Sequence, residues 1–116
     1  VDSVFFRSLR RMRGFQYARM WYSARHGGKG GGVAFIVLNS QLRVKQLGRS
    51  PRGGVSIQVD AEGYEPFAIV NCYFPPAGSP YHDDADALFA WLPHEIARLK
   101  DKGLQVEVIA ADWNQR

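Results

Sequence analysis

Asp112-Trp113-Asn114 is the stretch of this chain whose residue types and spacing could do chemistry. In extended backbone a one-residue gap turns Asp112 and Asn114 to the same side. A carboxylate beside a carboxamide can hold a hard cation, orient a water and donate to a phosphate oxygen. The same residue types also form turns at strand ends, so the surroundings decide between the two readings. Three other stretches compete with it. His82-Asp83-Asp84-x-Asp86 lacks the glycine and distal glutamate of a calcium loop and sits where a helix begins, so its spacing predicts capping. His26, His82 and His94 share no zinc-ligand spacing. In Arg25-His26-Gly27-Gly28-Lys29-Gly30-Gly31-Gly32 the lysine is followed by glycines and a strand, where a Walker loop needs Ser/Thr and a helix. This segment reads either as a strand connection or as a mobile basic loop whose Arg25, His26 and Lys29 touch a nucleic-acid backbone.

The elements that must position these residues follow from periodicity. Val4, Phe5, Leu9 and Met12 recur at helical spacing among arginines, with Gly14 as a stop. Phe15 to Tyr22 reads as a strand of aromatic and long side chains. Val33 to Leu38 is an unbroken apolar run, which predicts a central strand buried on both faces. Leu42 and Val44 alternate with Arg43 and Lys45, and after a turn at residues 50–53 the same alternation runs from Val55 to Val59, predicting half-buried antiparallel strands. Phe67 to Phe74 is a further strand, with Asn71 and Tyr73 on one face and Val70 and Cys72 on the other. Leu88, Leu92, Ile96 and Leu99 mark a helix over residues 83–102 with acids in its first turn; Pro93 makes it either kinked or two helices. Val106, Val108 and Ala110 alternate in a last strand that ends on Asp112.

With 116 residues, 46% apolar and 13% aromatic, the chain can build one hydrophobic core. Cys72 is the lone cysteine, so no intrachain disulfide forms, and a reducing compartment is the simpler expectation. No apolar run is long enough for a spanning helix and no signal-peptide pattern opens the chain. The formal charge of +4 is unevenly spread: residues 1–52 hold eleven Lys/Arg against Asp2, residues 53–116 four against ten acids, a net +10 and −6. A basic face could attract phosphates and an acidic part could hold a cation.

The order Gly31-Gly32-Val33-Ala34-Phe35-Ile36-Val37, then Asn71-Cys72-Tyr73-Phe74-Pro75-Pro76, then the helix with Phe89 and Leu92, then Ala110-Ala111-Asp112-Trp113-Asn114 resembles the endonuclease/exonuclease/phosphatase superfamily. That group includes deoxyribonuclease I, abasic-site endonucleases and the endonucleases of non-LTR retrotransposons, to which the resemblance is greatest. It covers residues 14 to 114. The family pattern Asn-x-Tyr-x-Pro is present; its Gly-Asp-Phe-Asn stands here as Ala111-Asp112-Trp113-Asn114, keeping an aromatic packer and replacing glycine by alanine.

The resemblance implies an α+β fold, part of a four-layer α/β/β/α sandwich of mostly antiparallel strands with one long helix. It implies a metal-dependent endonuclease using Mg²⁺ or Mn²⁺ and acting on DNA as a monomer, with an intracellular location, nuclear if the parent is retrotransposon-encoded. Asp112 would orient the attacking water, Asn114 would bind the phosphate or the metal-bound water, both would lie at the metal, Tyr73 would donate to the scissile phosphate, and Asn71 would be structural. The family's metal-binding Glu and an earlier Asn precede the segment matched here, and its Ser-Asp-His general base follows it. Residues 1–116 are therefore expected to be a single domain truncated at both ends, with little activity alone. Phosphatases of small phosphoesters share these motifs, and a non-catalytic basic domain that keeps its arginines for nucleic acid is the reading from another class.

Overall fold

The computed structural model describes residues 3–23, 32–76 and 78–113. The elements run α1 (Ser3–Arg10), β1 (Arg19–Ser23), β2 (Val33–Val37), β3 (Arg43–Ser50), β4 (Gly54–Asp60), β5 (Phe67–Tyr73), α2 (His82–Asp101) and β6 (Gln105–Asp112). One sheet has the order β3-β4-β5-β6, and β1 pairs with β2 in a second, two-stranded sheet. The pairings are antiparallel except β5 with β6, which is parallel because α2 carries the chain back across the sheet between them. This is a mixed α+β arrangement of two sheets and one long helix, compatible with an α/β sandwich.

The core lies between α2 and the four-stranded sheet. Alternation along β5 sends Ala68, Val70 and Cys72, with Phe74 just past its end, into Ala85, Leu88, Leu92 and Leu99 of α2. Each such side chain contributes about 1.5–3 kcal/mol on full burial, except the smaller alanines. The opposite face of the sheet meets β1 and β2, where Asn71 Nδ2 donates to the Ala34 carbonyl of β2 (3.1 Å) and Ser23 Oγ of β1 donates to the Ser50 carbonyl of β3 (2.7 Å). Asn71 thus joins the sheets, as a structural role requires.

The buried strand is not the one its apolarity suggests. In β2 only Val33 is buried and Ile36 is 38% exposed: among the described residues β2 meets the four-stranded sheet with one face, while the face bearing Ile36 stays open to water. β4 is central instead, flanked by β3 and β5 and covered by layers on both faces, so that Gly54 to Ile57 are all buried, Ser56 included. The regular alternation of β4 encoded no sign of the second cover.

Other boundaries shift for local reasons. α1 stops at Arg10, residues 11–14 turn, and Gly14 takes a φ of 88°, which a glycine adopts without strain. Strand β1 starts at Arg19, after a turn at residues 15–18. α2 passes through Pro93 unbroken. The carbonyl that loses its bond there belongs to Phe89, on a turn that faces water. Its N-cap is Tyr81, which makes no side-chain cap bond, rather than one of the aspartates; Asp83 and Asp84 sit in the first turn. In β6 a register shift between Val106 and Val108 turns Val106 to the core and leaves Val108 47% exposed.

Candidate functional site

β5 and β6 run side by side and end together. Their ladder pairs Asn71 with Ala110, Cys72 with Ala111 and Tyr73 with Asp112. In-register residues of a parallel pair point to the same face, with neighbouring strands about 4.8 Å apart. Cys72 and Ala111 face the helix core, so Tyr73 and Asp112 share the other face, the one on which Asn71 reaches β2. Tyr73 is half-buried and Asp112 exposed.

Two anchors fix this end. The Phe74 N–H donates to the Asp112 carbonyl (3.0 Å) and the Tyr73 N–H to the Gly53 carbonyl (2.9 Å), so the β3–β4 turn, β5 and β6 are tied where they finish. Trp113 then turns into the helix side. Its ring stacks on Phe74 (centroids 4.9 Å, planes 10° apart), which stacks in turn on Phe89 of α2 at 4.4 Å. With Trp113 on that side, alternation holds the Asp112 carboxylate on the Tyr73 side. The apolar packer in the middle of the tripeptide is therefore what aims its polar neighbour.

The carboxyl ends of parallel strands are where α/β sheets place ligands, and several charged groups gather near this end. Ser50 pairs with Gly54, and Gly54 with Cys72, so the β3–β4 turn bearing Arg52 lies beside Tyr73. Arg52 forms an ion pair with Asp84 in the first turn of α2. Ser23 and Val33, paired with each other at the far ends of β1 and β2, are at the same end, because Ser23 bonds Ser50. Asn114, Arg25, His26 and Lys29, all expected at the site or at nucleic acid, lie outside the described residues.

Mg²⁺ or Mn²⁺ takes hard oxygen ligands, with Mg²⁺ bound through one or two carboxylates while water and substrate phosphate complete the shell. Asp112 offers one carboxylate, and among the described residues no group of three or more His, Cys, Asp or Glu converges. Among the described residues the donors fit one protein ligand of a largely hydrated cation. Cys72 is no nucleophile: burial pushes its thiol up to about 11, which leaves little thiolate at neutral pH. The groove of ≈ 460 Å³ between the last turn of α2 and the start of β6 is at the other end of the strand from Asp112 and is lined mainly by Ile96, Leu104 and Val106.

Neither the Arg52–Asp84 pair nor the polar cluster of buried Ser56 and Glu95 with half-buried Arg98 was legible in the sequence. The acids of the first helical turn were visible as a group, but the partner of Asp84 is 32 residues away and no local pattern points to it. Comparison with protein-family models, curated proteins and solved structures finds no match to this chain.

Proposed function

We propose that the chain carries part of the active site of a metal-dependent phosphodiesterase of the endonuclease kind. The observation that carries this reading is the in-register pairing of Tyr73 with Asp112 at the ends of β5 and β6, on one face, with Trp113 packed on the other. Asp112 orients the attacking water and contributes one ligand to Mg²⁺ or Mn²⁺, Tyr73 donates its hydroxyl to the scissile phosphate, and Asn114 adds a carboxamide donor to the phosphate or metal-bound water. The cation supplies charge stabilisation at the phosphate and the leaving oxygen. The strand ends that flank the basic segment with Arg25, His26 and Lys29 are at the same end, which suits a backbone contact to DNA.

A single carboxylate and a tyrosine hydroxyl do not complete such a site, so the 116 residues alone are proposed to bind the cation and turn over little. The test is a titration with Mn²⁺ read in ¹H–¹⁵N spectra. Paramagnetic broadening is expected at amides 71–73 and 111–113 and lost in Asp112→Ala. Broadening centred on Asp83, Asp84 and Asp86, or unchanged by the substitution, refutes the assignment. One observation favours a second reading, non-catalytic binding of nucleic acid: the basic half of the chain holds a single acid. That reading predicts salt-sensitive association without cleavage in any setting.

A further inference from the structure

An open groove of ≈ 550 Å³ runs between α1 and β1, lined by Phe6, Arg10, Tyr17, Arg19, Met20 and Trp21. Its two cations are held in place without being neutralised. Arg10 Nε and Nη2 both donate to the Gln16 carbonyl (3.1 and 3.0 Å), and its guanidinium lies 5.8 Å from the centroid of the Phe6 ring. Arg19 Nη2 donates to the carbonyls of Asn39 and Leu42, and its guanidinium lies 5.6 Å from the centroid of the Trp21 ring. A guanidinium has five N–H donors, so each keeps some for a ligand. No acid occurs from residue 3 to residue 59, and the ion pairs formed by the described residues involve none of Arg7, Arg10, Arg11, Arg13 and Arg19. Beside them Tyr17 stands 76% exposed.

We infer that this groove is a binding site for a single-stranded segment of nucleic acid, bases stacking on Tyr17 and phosphates meeting Arg10 and the neighbouring arginines. Aromatic rings interleaved with unneutralised arginines are the chemistry that single strands need, because every base offers a face to stack and every linkage a charge. A duplex hides its base faces and would use the cations alone. A lipid surface would need the apolar side of α1, whereas Phe6 of that helix lines the groove.

The groove is distinct from the Tyr73–Asp112 end. Arg19 bonds the β2–β3 connection whereas Ser23, at the other end of β1, reaches the turn end of β3. Four strand steps separate them, on the order of 13 Å. The groove holds a strand at a distance from the proposed phosphodiesterase end, and its assignment does not rest on that chemistry.

The test is fluorescence anisotropy of the 116-residue chain with a labelled oligothymidylate of about ten nucleotides, within the span such grooves cover, beside a duplex of equal length and phosphatidylserine vesicles. Tighter binding of the oligothymidylate is expected, with Tyr17→Ala weakening it about five- to a hundredfold and Tyr17→Phe restoring it. Arg10→Gln is expected to lower the slope of log affinity against log salt by about one. Tyr17 is exposed, so its variants should fold, and circular dichroism checks that. Tyr17→Ala binding as tightly as the parent reduces the groove to diffuse charge attraction and overturns the proposal. So does duplex bound as tightly as single strand, or binding to vesicles alone.

Discussion

Replacing Glu95 tests whether a buried polar cluster clamps α2 to the sheet. Glu95 is 4% exposed. Its Oε2 accepts from Ser56 Oγ of β4 (2.7 Å) and Arg98 Nη2 (2.9 Å), its Oε1 accepts from Arg98 Nε (2.6 Å), and Arg98 Nη2 also donates to the Leu47 carbonyl of β3 (2.9 Å). Removing one partner of a fully buried pair costs about 3–5 kcal/mol, because the other charge is left without compensation. The Arg98 side chain is 40% exposed and can recruit water, so Glu95→Ala is expected to cost about 2–3 kcal/mol, including the bond that Ser56 loses. In urea, with a slope of about 1–3 kcal/mol per molar for small proteins, the unfolding midpoint falls by roughly 1–2 M. The carboxylate also gives a pH signature. Burial alone raises its pKa, but the bonds from Arg98 and Ser56 and the charges of Arg98 and Lys102 outweigh it, leaving the group below its ordinary 4.5. A depressed carboxylate contributes stability that is full above the unfolded value and is lost as pH falls through the folded one. Parent stability should therefore decline below about pH 4.5 more steeply than that of Glu95→Gln. A Glu95→Ala midpoint change equivalent to less than about 0.5 kcal/mol, the range of ordinary surface changes, would refute the clamp.

Three further outcomes follow from packing. Trp113→Ala removes the stack on Phe74 and should cost about 1–2 kcal/mol, read as a fall of several degrees in thermal midpoint, while Trp113→Phe keeps most of it. Gly54→Ala would place a Cβ 2.6 Å from Trp91 Cζ3, an overpacking expected to cost about 1–3 kcal/mol in denaturant unfolding. Cys72, buried and with its thiol pushed up to about 11 by that burial, should resist a thiol reagent at pH 8 in the native protein and react once urea unfolds it; fast labelling of native protein would contradict the packing of β5 on α2.

The elements were legible wherever one face meets the core and the other does not. The period of two along Phe67 to Tyr73 and the helical stripe of Leu88, Leu92 and Leu99 correctly separated core from surface, and the last strand was correctly ended at Asp112. The sequence was misleading about which strand is central, because an apolar run such as Val33 to Leu38 reports apolarity and not the number of neighbours a strand acquires. The parallel pairing of β6 with β5 and the register that sets Asp112 beside Tyr73 are long-range facts with no local signature. Individual residues of the α1 groove were visible as arginines and aromatics, but their convergence depends on the turns over residues 11–18 that set α1 and β1 on the two sides of the groove.

Plasmid nicking by the product of the whole reading frame that contains these residues, in the presence of Mg²⁺, tests the phosphodiesterase assignment most directly. Conversion of supercoiled to open-circular DNA is expected, about 10²–10⁴-fold slower in Asp112→Ala, the loss that follows when the group that orients and activates water is removed. A product that does not nick, or an Asp112→Ala variant that nicks as fast as the parent, would contradict it.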